Sequence, residues 1–218
     1  MIHRRDFSLC LVTDRSLSLG RPISAVVEAA TRGGVSAVQL REKSCPAEKY
    51  IELARNIKKL LAPFGILLMI NDRVDVALAA GADGVHLGQS DMPAADARKI
   101  LGSRAVIGLS VETFDQSAAA EPLDVDYLGV SPIFRTPTKT DTGEPWDLDG
   151  LRKLRALSRH HLIAIGGIDS SNAERVLAAG ADGLAVVSAI CAAADPEAAA
   201  RLLHGIIARH KIAGQGRE

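Results

Sequence analysis

AAGADGVHLG (residues 79–88) and AAGADGLAVV (residues 178–187) are nearly one phrase written twice in the chain. Each begins in the alanine-rich end of a helical pattern, passes a glycine suited to a helix C-cap, turns through Ala-Asp and enters an apolar run. GGVSAVQL (33–40) is a looser third copy. The phrase reads as the joint of a repeated α/β unit, not as a catalytic motif. Outward from it, apolar runs recur as SLCLVT (8–13), SAVQL (36–40), ILLMI (66–70), GVHLG (84–88), AVIGL (105–109), YLGVS (127–131), LIAIG (162–166) and GLAVV (183–187). Most lack the alternation of a strand with one wet face, as expected for parallel strands covered on both sides. Between them lie helical patterns of roughly 10–15 residues that open on Pro, Asp or Ser, several of them ending on Gly.

About eight such units without an intervening linker predict an α/β chain folded as a single-domain (β/α)₈ TIM barrel over residues 1–218, with a short frayed tail from about 210 to 218. The competing doubly wound sheet usually opens with G-x-G-x-x-G after its first strand, where this chain has TDRSLSLG. The barrel is favoured.

Composition narrows the partners. Lys+Arg and Asp+Glu both number 26, so the formal net charge is zero, which argues against nucleic acid or a membrane surface as the main partner. Cys10, Cys45 and Cys191 are widely spaced and odd in number, with no zinc or disulfide pattern. The N-terminus has no apolar run of signal-peptide length, and no segment reaches the length of a membrane span, so a cytoplasmic protein is expected.

In such a barrel the chemistry sits on the loops after the strands. QLREKS (39–44) places Gln39, Arg41 and Lys43 at one strand end, INDRVD (70–75) places Asn71 and Asp72 at the next, and HLGQSDMP (86–93) places Asp91 after the fourth. Taken singly, Asp72 and Asp91 could be helix caps and the basic run a solvated turn. Together they resemble a site where two carboxylates hold Mg²⁺ while Arg41 and Lys43 neutralise phosphate oxygens. The inference is a magnesium-bound diphosphate substrate. Ser110 follows the fifth strand, while IGGIDS (165–170) and VVSAIC (186–191) follow the seventh and eighth, where glycine beside a helix start commonly binds phosphate. Gly166, Gly167 and Ser188 are the candidates for that second anion site. His86, within a strand, is read as a packed, hydrogen-bonded residue, and the other histidines as surface groups.

The motifs QLREK (39–43), IND (70–72), GADGVHLGQSD (81–91), IGLS (107–110), SPIFRTPTKTD (131–141), AIGGI (164–168) and GADGLAVVSAI (180–190) occur in this order and cover most of the chain. In these the chain resembles the thiamine phosphate synthase family. The resemblance implies a Mg²⁺-dependent barrel that couples a hydroxymethylpyrimidine diphosphate to a thiazole phosphate and releases diphosphate. It further implies that Gln39, Leu40, Arg41, Glu42, Lys43, Asn71, Ser110 and Lys139 bind the pyrimidine diphosphate. Thr136, Pro137, Thr138, Gly167, Val187 and Ser188 would bind the thiazole phosphate, and Asp72 and Asp91 the metal. Ser110, Lys139, Arg41 and Lys43 are the expected catalytic set, acting by charge stabilisation of the departing diphosphate. Arg73 departs from those relatives that carry a second acidic residue after IND. Small molecules are the expected partners, and a homo-oligomer is left open. The rivals are a thiazole tautomerase-like barrel, a sugar-phosphate epimerase barrel, and a non-catalytic phosphate-binding relative. The first would leave Asp91 and Lys139 free to vary, and the second would want paired strand-end His and Asp residues on facing sides, an arrangement the sequence lacks.

Overall fold

The computed structural model describes residues 6–136 and 143–215. Eight parallel strands pair in sequence order and close on themselves: β1 (Leu9–Val12), β2 (Ala37–Leu40), β3 (Leu67–Asn71), β4 (Gly84–Leu87), β5 (Val106–Val111), β6 (Tyr127–Val130), β7 (Leu162–Ile165) and β8 (Gly183–Val186). The closing pair sets Cys10 opposite Ala185. Around the barrel run α1 (Ile23–Arg32), α2 (Ala47–Leu61), α3 (Val74–Ala80), α4 (Ala94–Leu101), α5 (Phe114–Ala120), α6 (Asp147–Leu157), α7 (Ala173–Ala178), a four-residue α8 (Ser188–Cys191) and α9 (Pro196–Gln215). The expected (β/α)₈ barrel is the observed one. Among the described residues no helix is long and apolar enough to cross a membrane.

The strands carry two kinds of face. One set of alternate residues is large and aliphatic (Leu9, Leu11, Val38, Leu40, Leu68, Ile70, Val85, Leu87, Leu128 and Val130) and packs in one cluster with the helices. The other set forms a separate, smaller cluster inside the barrel, from Phe7, Cys10, Val12, Ala37, Met69, Val106, Tyr127, Ile163 and Ala185. Toward the strands' C-terminal ends this inner set turns polar, through Gln39, Asn71, His86 and Ser110. The inner face is thus apolar at the base and hydrogen-bonding at the mouth.

The repeated Ala-Asp joint has a mechanical purpose. Asp83, just before β4, accepts the Leu68 N–H at the start of β3 with Oδ2 at 2.8 Å. Asp182, just before β8, accepts the Leu162 N–H at the start of β7 at 2.8 Å, and Asp126, in a Val-Asp turn before β6, does the same for the Ile107 N–H of β5 at 2.8 Å. Each carboxylate is also paired with a cation from the outer layer, respectively Lys58, Arg155 and Arg98. At the barrel's N-terminal rim, strand starts would otherwise leave N–H groups without acceptors, and these aspartates satisfy them.

Glycine is required where strands press together. A Cβ on Gly84 would lie 2.0 Å from the Val106 carbonyl oxygen, and one on Gly183 would lie 2.1 Å from that of Phe7. The glycines that end both copies of the repeated phrase's turn are therefore fixed by close approach of backbone to backbone, which no side chain permits.

Candidate active site

The barrel mouth holds a cavity of about 450 Å³. Of the residues expected from the sequence, Gln39, Arg41, Lys43, Asn71, Asp72, Asp91, Ser110, Thr136, Gly167, Val187 and Ser188 line it. They arrive from seven different strand ends, β2 to β8, which is why short, scattered motifs converge on one site. Pro137, Thr138 and Lys139 lie outside the described residues.

Two members of the QLREK motif turn elsewhere. Leu40 is wholly buried in the layer between strands and helices, and its carbonyl accepts the Tyr50 hydroxyl at 2.6 Å. Glu42 faces Arg15, its carboxylate taking both Nε at 3.2 Å and Nη2 at 2.9 Å. Successive residues at a strand end point to opposite sides, so a contiguous motif delivers only its alternate members to the cavity.

Gln39 and Asn71 form the floor of the basic side. Gln39 Nε2 donates to Asn71 Oδ1 at 2.7 Å. Arg41 is held from two directions: its backbone N–H donates to Thr13 Oγ1 at 2.9 Å, and its Nη1 meets Asp14 Oδ2 at 3.0 Å. Although withdrawal from water acts against it, hydrogen bonds from Ser16 and the Arg41 charge hold the Asp14 carboxyl below its ordinary value. Asp14 thus buttresses the guanidinium and leaves its other N–H groups for a ligand. Sequence reading passed Asp14 over, although it stands after the first strand as Asp72 stands after the third.

Beside it, on the neighbouring strand ends, lies the acidic pair. Asp72 follows β3 in a left-handed conformation (φ 63°), its N–H donating to the His86 carbonyl of β4 at 2.9 Å. Asp91 folds back so that Oδ2 accepts the Gly88 N–H at 2.7 Å. Desolvation, a hydrogen bond with Asp91 and repulsion between the two carboxylates push the Asp72 acid up to about 6. Two carboxylates crowded together in this way form a site that a hard divalent cation would relieve. The donor set suits Mg²⁺, which is commonly held by one or two carboxylates with the remaining positions left to water and phosphate oxygens. Among the described residues no cluster of three or more His, Cys, Asp or Glu could serve as an all-protein cage. Arg73 turns outward to Asp75, with Nε to Oδ1 at 2.8 Å.

Across the mouth, Gly166 (φ 103°) and Gly167 (φ 66°) carry β7 into its loop. A Cβ on Gly167 would lie 2.9 Å from that of Phe134, and one on Gly166 would lie 2.8 Å from Pro132 Cα. The loop after β6 is stitched here by Ile133 N–H to Ile165 O at 2.9 Å and Phe134 N–H to Gly166 O at 3.0 Å. Both glycines combine a positive φ with a crowded approach, so each is required twice over. Ser188 then opens α8, a helix whose four residues are too few to show periodicity in the sequence. The cavity wall also includes Gln89, Glu112, Gln116, Tyr127 and Ser131, none of which was singled out from sequence. His86 is hydrogen-bonded as expected, but within this wall, to Ser110 Oγ and Tyr127 Oη.

The chain matches the family model described as thiamine monophosphate synthase over residues 9–190. A thiamine-phosphate synthase from Albidiferax ferrireducens is 58% identical over 199 residues, covering 91% of each chain. One from Moorella thermoacetica is 46% identical over 204 residues, covering 94% of this chain and 97% of that protein. Among solved structures, a thiamine phosphate pyrophosphorylase from Pyrococcus furiosus superposes with a TM-score of 0.87 at 37% identity, covering 95% of this chain and 98% of its own.

Proposed function

The chain belongs to the thiamine monophosphate synthase family, and on that premise we propose that it transfers a pyrimidinylmethyl group from a diphosphate to the nitrogen of a thiazole phosphate. The products are thiamine phosphate and free diphosphate. The observation that carries this reading is the pairing of Asp72 and Asp91 beside Arg41 and Lys43 on one wall of a single cavity, with Gly167 and Ser188 on its far side. One wall suits a diphosphate with its cation, and the other a monophosphate.

The C–O bond to the diphosphate breaks as the thiazole nitrogen forms its bond to the same carbon. An aminopyrimidine can spread positive charge from that carbon, so bond breaking runs ahead of bond making. The principal demand is then stabilisation of negative charge on the leaving group, not removal of a proton. Arg41, oriented by Asp14, offers a planar fork of donors, and Lys43 adds a point charge. Asp72 and Asp91 would hold Mg²⁺, which when bound neutralises diphosphate oxygens as a Lewis acid. Gln39 and Asn71, locked to each other, position the pyrimidine with Ser110. Gly166 and Gly167 let backbone approach the thiazole phosphate, Ser188 adds a hydroxyl, and Thr136 stands in the same cavity wall. Holding both reactants in line supplies a large share of the acceleration. The proposed setting is cytoplasmic, with small molecules as the partners.

Incubation with both substrates and Mg²⁺ should release diphosphate and form thiamine phosphate, and EDTA should abolish both. Product without added metal and in the presence of EDTA would overturn the metal assignment. Release without a pyrimidine–thiazole product would overturn the coupling. Lys139→Ala should leave the fold unchanged and lower kcat at least about tenfold, measured as diphosphate release. Unaltered kinetics would remove that lysine from the mechanism.

The acidic pair also predicts a pH dependence. The Asp72 acid is weaker in the folded chain than in the unfolded chain, so the fold binds its proton more tightly. Stability from this group is present at low pH and is lost as pH rises through about 6. A cation that offsets the ionised pair therefore stabilises more at high pH. The rise in melting temperature on adding Mg²⁺ should be clear near pH 8 and nearly vanish near pH 5, by differential scanning fluorimetry. An equal rise at both would place the cation elsewhere.

A further inference from the structure

Beneath Ser110 the barrel interior contains a file of hydrogen-bonded groups for which the chemistry above has no use. His86 Nε2 lies 2.8 Å from Ser110 Oγ, and His86 Nδ1 lies 2.9 Å from Tyr127 Oη. Strand register builds this file: His86 stands opposite Gly108, Gly108 opposite Tyr127, and Ser110 opposite Gly129. The two glycines leave the space it occupies. A Cβ on Gly108 would lie 2.2 Å from Tyr127 Cζ, and one on Gly129 would lie 2.7 Å from His86 Cε1. The two rings stack at 5.5 Å with 25° between their planes, and Phe7 backs Tyr127 at 4.8 Å. Such a fitted arrangement holds both rings to one orientation.

The direction of its hydrogen bonds follows from the buried end. Tyr127 is 3% exposed within the apolar inner cluster, and among the described residues His86 Nδ1 is the hydrogen-bond partner of its hydroxyl. A buried phenol must donate its proton or leave it without an acceptor. Burial also raises the Tyr127 acid well above its ordinary value, so the proton stays on the phenol. Donation from Tyr127 makes Nδ1 the acceptor, and the neutral imidazole then carries its hydrogen on Nε2. Nε2–H in turn donates to Ser110 Oγ, and the serine's own hydrogen turns away from His86 toward the cavity.

We propose that Tyr127 and His86 are positioning residues that fix Ser110 as a hydrogen-bond donor toward the bound pyrimidine. The partner that this polarity selects is an acceptor atom, such as a ring nitrogen with a free lone pair. A donor group in the same place would meet the hydroxyl hydrogen head-on. The inference rests on the reading that Ser110 meets the pyrimidine substrate.

Two measurements decide it. In the ligand-free protein labelled with ¹⁵N-histidine, the His86 resonances, assigned by their loss in His86→Gln, should show a pyridine-type nitrogen at Nδ1 and a pyrrole-type nitrogen at Nε2. The reverse pattern overturns the proposal. Tyr127→Phe removes only the phenolic oxygen, and it should shift His86 toward the other tautomer and lower kcat/KM for the pyrimidine diphosphate about tenfold. In a Ser110→Ala background the same change should cost nothing more, because its effect passes through the serine. An equal loss with and without Ser110 overturns the proposal. Failure of the unmodified enzyme to release diphosphate would overturn the coupling reading instead, while the tautomer in the free protein would still report on the hydrogen-bond file itself.

Discussion

Asp91→Asn is expected to lower kcat/KM by about a hundredfold or more at saturating Mg²⁺ while moving the melting temperature by no more than about 2 °C. The separation of the two effects follows from what each oxygen does. The fold needs Asp91 as an acceptor, because Oδ2 takes the Gly88 N–H at 2.7 Å and ties the loop after β4 to itself. An amide oxygen can accept that bond equally well. The chemistry needs the charge, because a carboxylate and an amide differ greatly as ligands for a hard cation. Losing the Asp91 charge also removes one of the influences that weaken the Asp72 acid, so Asp72 should ionise more readily in the variant. The variant should therefore keep one anionic ligand and lose the pair. Steady-state diphosphate release across a Mg²⁺ titration checks this, and the stabilisation by Mg²⁺ near pH 8 should shrink in parallel. Turnover within tenfold of the parent would mean that the pair is not the metal site. Asp14→Asn is a useful contrast: it loosens Arg41 without touching the acidic pair, so its loss should be smaller and its Mg²⁺ dependence unchanged.

The strands were legible almost to the residue because their outward faces are unbroken aliphatic surface. The runs at 36–40 and 84–88 correspond to Ala37–Leu40 and Gly84–Leu87. Reading those runs as lacking alternation hid the inner face. In AVQL and GVHL, the second inner-face residue of each strand is polar, Gln39 and His86, and that substitution is the one local signal of a cavity wall. Leu40 and Glu42 show the opposite failing, since a motif is contiguous in sequence while its side chains diverge in space. Asp14 was missed because its meaning lies in a partner 27 residues away, Arg41. The same is true of the aspartates before β4, β6 and β8. The Ala-Asp turns at 82–83 and 181–182 were evident, but the strand start that each of the three aspartates serves lies 15 to 20 residues earlier, where no local pattern points to it.

That long-range service is measurable at Asp126, where the alanine variant should lose about 3 kcal/mol of stability. Of the three joints this one is the least hydrated: the Arg98 and Asp126 side chains are 15% and 17% exposed. Oδ2 accepts both the Ile107 N–H at 2.8 Å and Arg98 Nη2 at 3.0 Å, so truncation removes an acceptor from a strand start and a counter-charge from a half-sequestered guanidinium at once. Arg98 would keep Asp124, but that carboxylate is 81% exposed and so is a poor substitute. By comparison, at the β4 joint the Lys58 and Asp83 side chains are 31% and 27% exposed, so water can take up more of the loss there. A loss of about 3 kcal/mol in a chain of this length should appear as a fall in melting temperature of roughly 6–12 °C. Asp126→Asn, which keeps the acceptor and gives up the charge, should fall between the parent and the alanine variant. Asp126 lies at the N-terminal end of β6, away from the mouth, so kcat per folded molecule should not change in either variant. Urea titration of both variants beside the parent separates the two contributions. If alanine and asparagine cost the same, the charge pair with Arg98 carries the joint and the bond to the Ile107 amide adds nothing measurable. If asparagine costs nothing, the backbone hydrogen bond carries it alone.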